Sequence, residues 1–210
     1  MPPLRVMKFG GTSVGDAACI ARAADIVKSA ASAGSVVVVV SAMSGVTNRL
    51  IDAAHHAEAG EAEFATRLIA ELRTQHTKAL KALLRDTQRA AEVEKSLSAV
   101  LAELERLLQG TAFLKELTPR ALDAISGMGE RLSAPLLAAA LNELGISSVA
   151  VAATEVIVTD PVADAQFWAE ALNLGAYDLL AQPFYEPEVR RILSNACTRV
   201  VRQPRSMTAV

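Results

Sequence analysis

At 210 residues the chain has room for one full domain or two small ones, against a usual ~100–200 residues per domain. It is 51% hydrophobic and 21% charged, with a mean hydropathy of +0.28, which calls for a sizeable buried core rather than disorder. The 21 Lys and Arg stand against 23 Asp and Glu, a net of −2 that leaves no broad basic field for nucleic acid. Aromatics make up only 4%, and the wealth of Ala, Val and Leu suits helices packed on a parallel sheet. No apolar run reaches the roughly 18 residues of a membrane span. The opening MPPLRVMKFGG carries no apolar h-region of a secretory signal. Cys19 and Cys197 lie far apart, and His55, His56 and His76 have no cysteine nearby, so no metal site is expected and a reducing cytoplasm is the expected location.

In chain order, residues 4–9 read as a short buried strand ended by Gly10-Gly11. Asp16 or Ser13 caps a following helix, whose apolar positions Ile20, Ala24 and Val27 recur at helical spacing until Gly34. Residues 36–40 are five valines. A β-branched run without alternation is the pattern of a strand covered on both faces, which implies a parallel sheet and a βαβ unit. A long helical region from about 48 to 108 follows, expected to be a helical hairpin. Its second half is amphipathic, with Val93, Leu97, Val100, Leu101, Leu104 and Leu108 on one stripe. Thr118-Pro119 is a helix start, cap and then proline at the first position. Gly127, Gly129 and Pro135 are expected to interrupt the helix that runs to Leu144, and Gly145 to end it. Residues 149–153 read as another strand. Beyond 159–161 come a short helix at 167–174, a strand at 177–181, a final helix at 186–200 and a frayed tail.

Three strings carry chemistry. Lys8-Phe9-Gly10-Gly11-Thr12-Ser13 ends a strand with two glycines and small hydroxyl residues before a helix. Such a turn brings backbone N–H groups close to an anion, and Lys8 adds a point charge for a phosphoryl group; an ordinary Gly-Gly turn is the bland alternative. The string is neither the Walker pattern nor the dinucleotide fingerprint. Ser41-Ala42-Met43-Ser44-Gly45-Val46-Thr47-Asn48 puts a second small, hydroxyl-rich loop at another strand's carboxyl end, where open α/β sheets bind ligands. In Ser126-Gly127-Met128-Gly129-Glu130-Arg131-Leu132-Ser133, each glycine within a helix costs about 1 kcal/mol and needs a close contact or a ligand to justify it. Glu130 is either an acceptor for an amino group or a solvated glutamate beside a kink.

VMKFGGTSVGD, VVVVVSAMSGVTNRLIDAA and SGMGERLSAPLLAAALNELG resemble, in order and spacing, the signature segments of aspartate kinases within the amino acid kinase fold. The resemblance covers about residues 4–160. It implies a truncated, parallel-sheet three-layer α/β sandwich of the amino acid kinase type, with a helical hairpin insertion and a short βα tail. It implies phosphoryl transfer from ATP, with Mg²⁺, to the side-chain carboxylate of L-aspartate, giving 4-phospho-L-aspartate for lysine, threonine and methionine synthesis. By that resemblance Lys8 neutralises the transferring phosphoryl group, Gly10, Gly11 and Ser13 form the phosphate cradle, Ser41 supplies a hydroxyl, and Thr47 and Glu130 hold aspartate. A homo-oligomer is compatible with the resemblance, which does not fix the oligomeric state; no nucleic acid or membrane partner is implied.

The family's Gly-Arg-Gly-Gly-Ser-Asp-type and Thr-Asp-Val-Pro-Gly-type loops have no matching string here, so these residues alone are expected to turn over little. Residues 164–203 instead resemble the C-terminal end of a response-regulator receiver domain, through ALNLGAYDLLAQPF at 171–184, with Gln182 where receivers carry a lysine. The expected division is therefore a partial kinase domain at 1–160, a receiver-like βα segment at 161–203 and a frayed tail at 204–210. The competing reading is a non-catalytic fragment that acts as a weak binding or interaction module.

Overall fold

Five valines at 36–40 form strand β2 (Val36–Val40), which pairs in parallel with β1 (Arg5–Phe9), Arg5 beside Val36 and Phe9 beside Val40. This computed structural model describes residues 4–155, 159–160, 180–181 and 191. The chain divides into two units, Met1–Ala150 and Val151–Val210.

Between the two strands the chain crosses over through a 3-10 turn (Gly11–Val14) and helix α1 (Ala17–Ala31). Asp16 caps α1 by accepting the Cys19 N–H at 2.7 Å, and Ser13 lies in the preceding turn instead. Ile20, Ala23, Ala24, Val27 and Ala30 are the buried stripe of α1. Phe9 is buried, and Met7, Val36, Val38 and Val40 pack on the same core. The other face of the sheet departs from the expectation. Val6 and Val39 are each 47% exposed, so the valine run is covered on one face only by the described residues. A run of valines reports β-propensity as well as burial, and here propensity is the larger part of its meaning.

The long helical region resolves into three helices rather than a simple hairpin: α2 (Val46–Glu58), α3 (Ala62–Leu83) and α4 (Thr87–Leu114). Gly60, with φ 86°, breaks the first junction. At the second, Asp86 caps α4 by accepting the Gln88 and Arg89 N–H groups. Helices α3 and α4 lie antiparallel, Arg73 donating to Ser98 at 3.0 Å while Ala65 and Ile69 border the same hollow as Leu108 and Ala112. The buried residues of α4 include Leu97, Val100, Leu101, Leu104 and Leu108 of the stripe read from the sequence, while Val93 at its start is half-buried.

Helix α5 (Pro119–Ser126) starts as expected, the Thr118 hydroxyl accepting the Ala121 N–H at 3.1 Å. Gly127 separates it from α6 (Met128–Glu143), but neither Gly129 nor Pro135 interrupts α6. Pro135 has no N–H to give back along the helix. The buried Leu132, Leu136, Leu137, Ala139, Ala140 and Leu141 hold the helix by packing instead. Gly145, at φ 81°, ends the helix in a Schellman motif: its N–H donates to Asn142 and that of Ile146 to Leu141.

Across the division between the units, no strand spans 149–153. The chain there is irregular and enters a short 3-10 turn at Ala153–Glu155. Strand β3 (Thr159–Asp160) pairs in parallel with β4 (Leu180–Ala181), the end of the strand expected at 177–181. Arg191 is helical. The expected helix at 167–174, most of that at 186–200 and the tail lie outside the described residues.

Candidate functional site

Parallel pairing in register places the carboxyl ends of β1 and β2 side by side, so the loops leaving them share one edge. The first loop closes at once. Ser13 donates its N–H to the Gly10 carbonyl at 2.9 Å, and the turn leads directly into α1. The second loop begins at Ser41, whose N–H still donates to the Phe9 carbonyl at 3.0 Å. Gly45 then turns the chain into α2 with φ 75°, a left-handed conformation that favours glycine.

The two loops are packed against each other. Ser44 Oγ donates to the Gly11 carbonyl at 3.1 Å. A Cβ on Gly11 would stand 3.1 Å from the Ala42 carbonyl oxygen, and one on Gly15 only 2.7 Å from Ser44 Oγ. These two positions are glycine because another loop occupies the space. Gly10 has φ −75° and open space around it, so neither backbone nor packing demands glycine there.

Helix α6 supports the second loop from behind. Gly129 brings the helix so near that a Cβ on it would meet Ala42 Cβ at 2.6 Å. Glu130 Oε1 accepts the Ala42 N–H at 3.1 Å, and the buried Ser133 donates to the Ser41 carbonyl at 2.7 Å. Arg131 reaches the other way, donating from Nη1 and Nη2 to both oxygens of Glu103 on α4 at 2.8 and 2.7 Å. That guanidinium holds the Glu103 carboxyl below its ordinary range, partly offset by desolvation. Glu130 is thus half-buried and engaged, rather than a solvated glutamate beside a kink.

Together the loops border an open, shallow hollow of about 310 Å³, lined by Gly11 and Thr12 from the first and by Ser41, Ser44, Thr47 and Asn48 among others from the second. That volume suits a small polar ligand. Of the residues singled out from sequence, Gly11, Ser41 and Thr47 line it. Glu130 touches it through Ala42. Gly10 and Ser13 flank it in the first turn, and Lys8 stands exposed one residue before the end of β1. Gly15, Asn48 and Ser133 lie within the strings read from the sequence but carry no assigned role there. Only Ser133 had a readable signal, since it lies three positions from Glu130 and therefore on the same face of a helix.

The amino acid kinase family model matches residues 3–203. The chain belongs to the amino acid kinase family. The match runs through the stretch that resembles a receiver domain. Among the relatives of this chain, aspartokinase of Schizosaccharomyces pombe is 37% identical over 149 residues, 68% of this chain and 28% of that protein. Aspartate kinase of Pseudomonas fluorescens is 35% identical over 159 residues, 75% and 25% respectively. The chain therefore spans about a quarter of the length of the curated relatives it matches. A crystal structure of E. coli aspartokinase III in complex with aspartate and ADP aligns with a TM-score of 0.62 at 25% identity, over 87% of this chain and 42% of that one.

Proposed function

We propose that the hollow at the carboxyl ends of β1 and β2 is the L-aspartate and phosphoryl side of an aspartate kinase site. In that reaction the side-chain carboxylate of aspartate attacks the γ-phosphorus of ATP, the bond to the β–γ bridging oxygen breaks, and 4-phospho-L-aspartate and ADP result. The observation that carries the reading is the pair of small-residue loops locked together at one sheet edge, with Glu130 held against the second. The likeness to aspartokinases supports it, as does the aspartate and ADP bound by the E. coli neighbour.

Phosphoryl transfer needs positioning and charge neutralisation more than a covalent nucleophile. Lys8, exposed near the end of β1, supplies the neutralising charge, and Gly10, Gly11 and Ser13 form the turn beside it. Gly45 gives α2 no side-chain cap, which leaves the N–H groups of Thr47 and Asn48 in the first turn for a ligand carboxylate. One oxygen of Glu130 is taken by Ala42, and the other remains for the substrate's ammonium. No group of three or more His, Cys, Asp or Glu gathers among the described residues. Mg²⁺ on this reading comes with ATP, held by phosphate oxygens and water. The three-layer sandwich, whose second helical layer does not appear among the described residues, belongs to the same proposal. So does low turnover by these residues alone.

Backbone amide shifts test the assignment. L-Aspartate should move the amides of Thr47, Asn48 and Glu130, and ADP or pyrophosphate those of Gly10, Gly11 and Ser13. Shifts confined to other parts of the chain would refute it.

A further inference from the structure

Glu130 and Ser133 lie three residues apart on α6 and hold opposite ends of one peptide group. Ser133 Oγ donates to the Ser41 carbonyl at 2.7 Å, and Glu130 Oε1 accepts the Ala42 N–H at 3.1 Å. That group is the first past the end of the β2 ladder, since the Ser41 N–H still pairs with Phe9 while Ala42 pairs with a side chain. A serine inside a helix ordinarily bonds a carbonyl one turn back, and the Glu130 carbonyl stands 3.2 Å from the same hydroxyl. One proton serves one acceptor at a time, and the shorter contact is the one across to the loop. Ser133 is 1% exposed, so water does not compete for it.

We infer that Ser133 is the positioning residue of this site. It fixes the plane of the Ser41–Ala42 peptide, which aims the Ala42 N–H at Glu130 and leaves the second carboxylate oxygen of Glu130 toward the ligand. Without the hydroxyl, the half-buried Ser41 carbonyl loses the partner that α6 supplies, and the peptide rotates to recover one. The Ala42 N–H then leaves Glu130, and the carboxylate loses the bond that sets its rotamer. The consequence for ligand binding rests on the aspartate reading; the positioning itself rests on the two hydrogen bonds.

The full chain with Ser133→Ala, Ser133→Cys and Ser133→Thr separates the alternatives. Cysteine keeps the volume but donates weakly, and threonine keeps the hydroxyl. In folded Ser133→Ala and Ser133→Cys, amide hydrogen exchange at Ala42 should quicken by about tenfold, the scale of one lost hydrogen bond. Exchange at Ser41, held by Phe9, should stay unchanged, and Ser133→Thr should keep Ala42 near the wild-type rate. L-Aspartate affinity should fall by roughly fivefold in the Ala and Cys variants and return with Thr. Wild-type exchange at Ala42 in Ser133→Cys would show that Ser133 only fills space and would overturn the inference. If the wild-type chain takes up no L-aspartate, the aspartate reading fails, and the exchange rate at Ala42 still decides the role of Ser133.

Discussion

Gly129 packs against Ala42 at a distance that leaves no room for one carbon atom: a Cβ there would sit 2.6 Å from the Ala42 Cβ and 3.2 Å from Val46 Cγ1. Neither neighbour is the far end of a flexible side chain. This contact sets how near α6 comes to the second loop, and so whether Glu130 reaches the Ala42 N–H.

Gly129→Ala therefore pits two effects against each other. Alanine favours the helix by about 1 kcal/mol, while overpacking costs about 1–3 kcal/mol. We expect a net loss of stability, seen as a lower urea midpoint with an unchanged slope. A higher midpoint would mean that α6 can move away from the loop at no cost.

The Arg131–Glu103 pair joins α6 to α4 in a two-pronged geometry, yet the side chains are 35% and 40% exposed. Solvent screening limits its worth, and a double-mutant cycle with Arg131→Met and Glu103→Gln should return a coupling of about 0.5–1 kcal/mol. Arg131 holds the folded-state pKa of Glu103 below its ordinary 4.5, so the contribution is present above that value. It disappears as the pH falls through the lowered folded value. A coupling that persists in strong acid would contradict this account.

His76 on α3 is fully buried, with Nδ1 on the Leu72 carbonyl at 2.7 Å and no hydrogen-bond partner for Nε2. Burial pushes its pKa below the ordinary 6.5. The Leu72 contact opposes the shift and the charge of Arg49 adds to it. The unfolded chain thus takes up a proton at pH values where the folded chain does not. Stability should be full above about pH 6.5 and decline below it, until the lowered folded value is reached. Urea unfolding near pH 7.5 and near pH 5.5 checks this, and His76→Leu should remove most of the slope between them. An equal slope in the variant would assign it to other groups.

Lys8 has no ion pair among the described residues. Lys8→Met should leave the fold intact and weaken pyrophosphate or ADP binding by about 1–3 kcal/mol, the worth of a charge-assisted hydrogen bond. Unchanged calorimetric titrations would remove Lys8 from the phosphate site.

Local signals carried much of the fold into view. The five valines mark β2 residue for residue, Thr118-Pro119 starts α5, and Gly145 stops α6. What escaped was decided by packing between distant segments. Gly129 and Pro135 look like breaks until the buried leucines of α6 are counted. Residues 149–153 have strand composition, but no strand among the described residues pairs with them. At the site, the strings containing Gly11, Ser41 and Thr47 were legible as two small, hydroxyl-rich loops after neighbouring strands, and that containing Glu130 by its glycines within a helical segment. The tie between Glu130 and Ala42 spans 88 positions, and no local pattern reveals it.

On the proposed function, the hollow between the two loops takes L-aspartate. Calorimetric titration of the chain with L-aspartate and, separately, with L-asparagine tests it most directly, because the two differ only in the acceptor carboxylate. We expect saturable one-site binding of L-aspartate, weaker or no binding of L-asparagine, and loss of affinity for L-aspartate in Glu130→Gln. Equal affinity for both ligands, or wild-type affinity in Glu130→Gln, would contradict it.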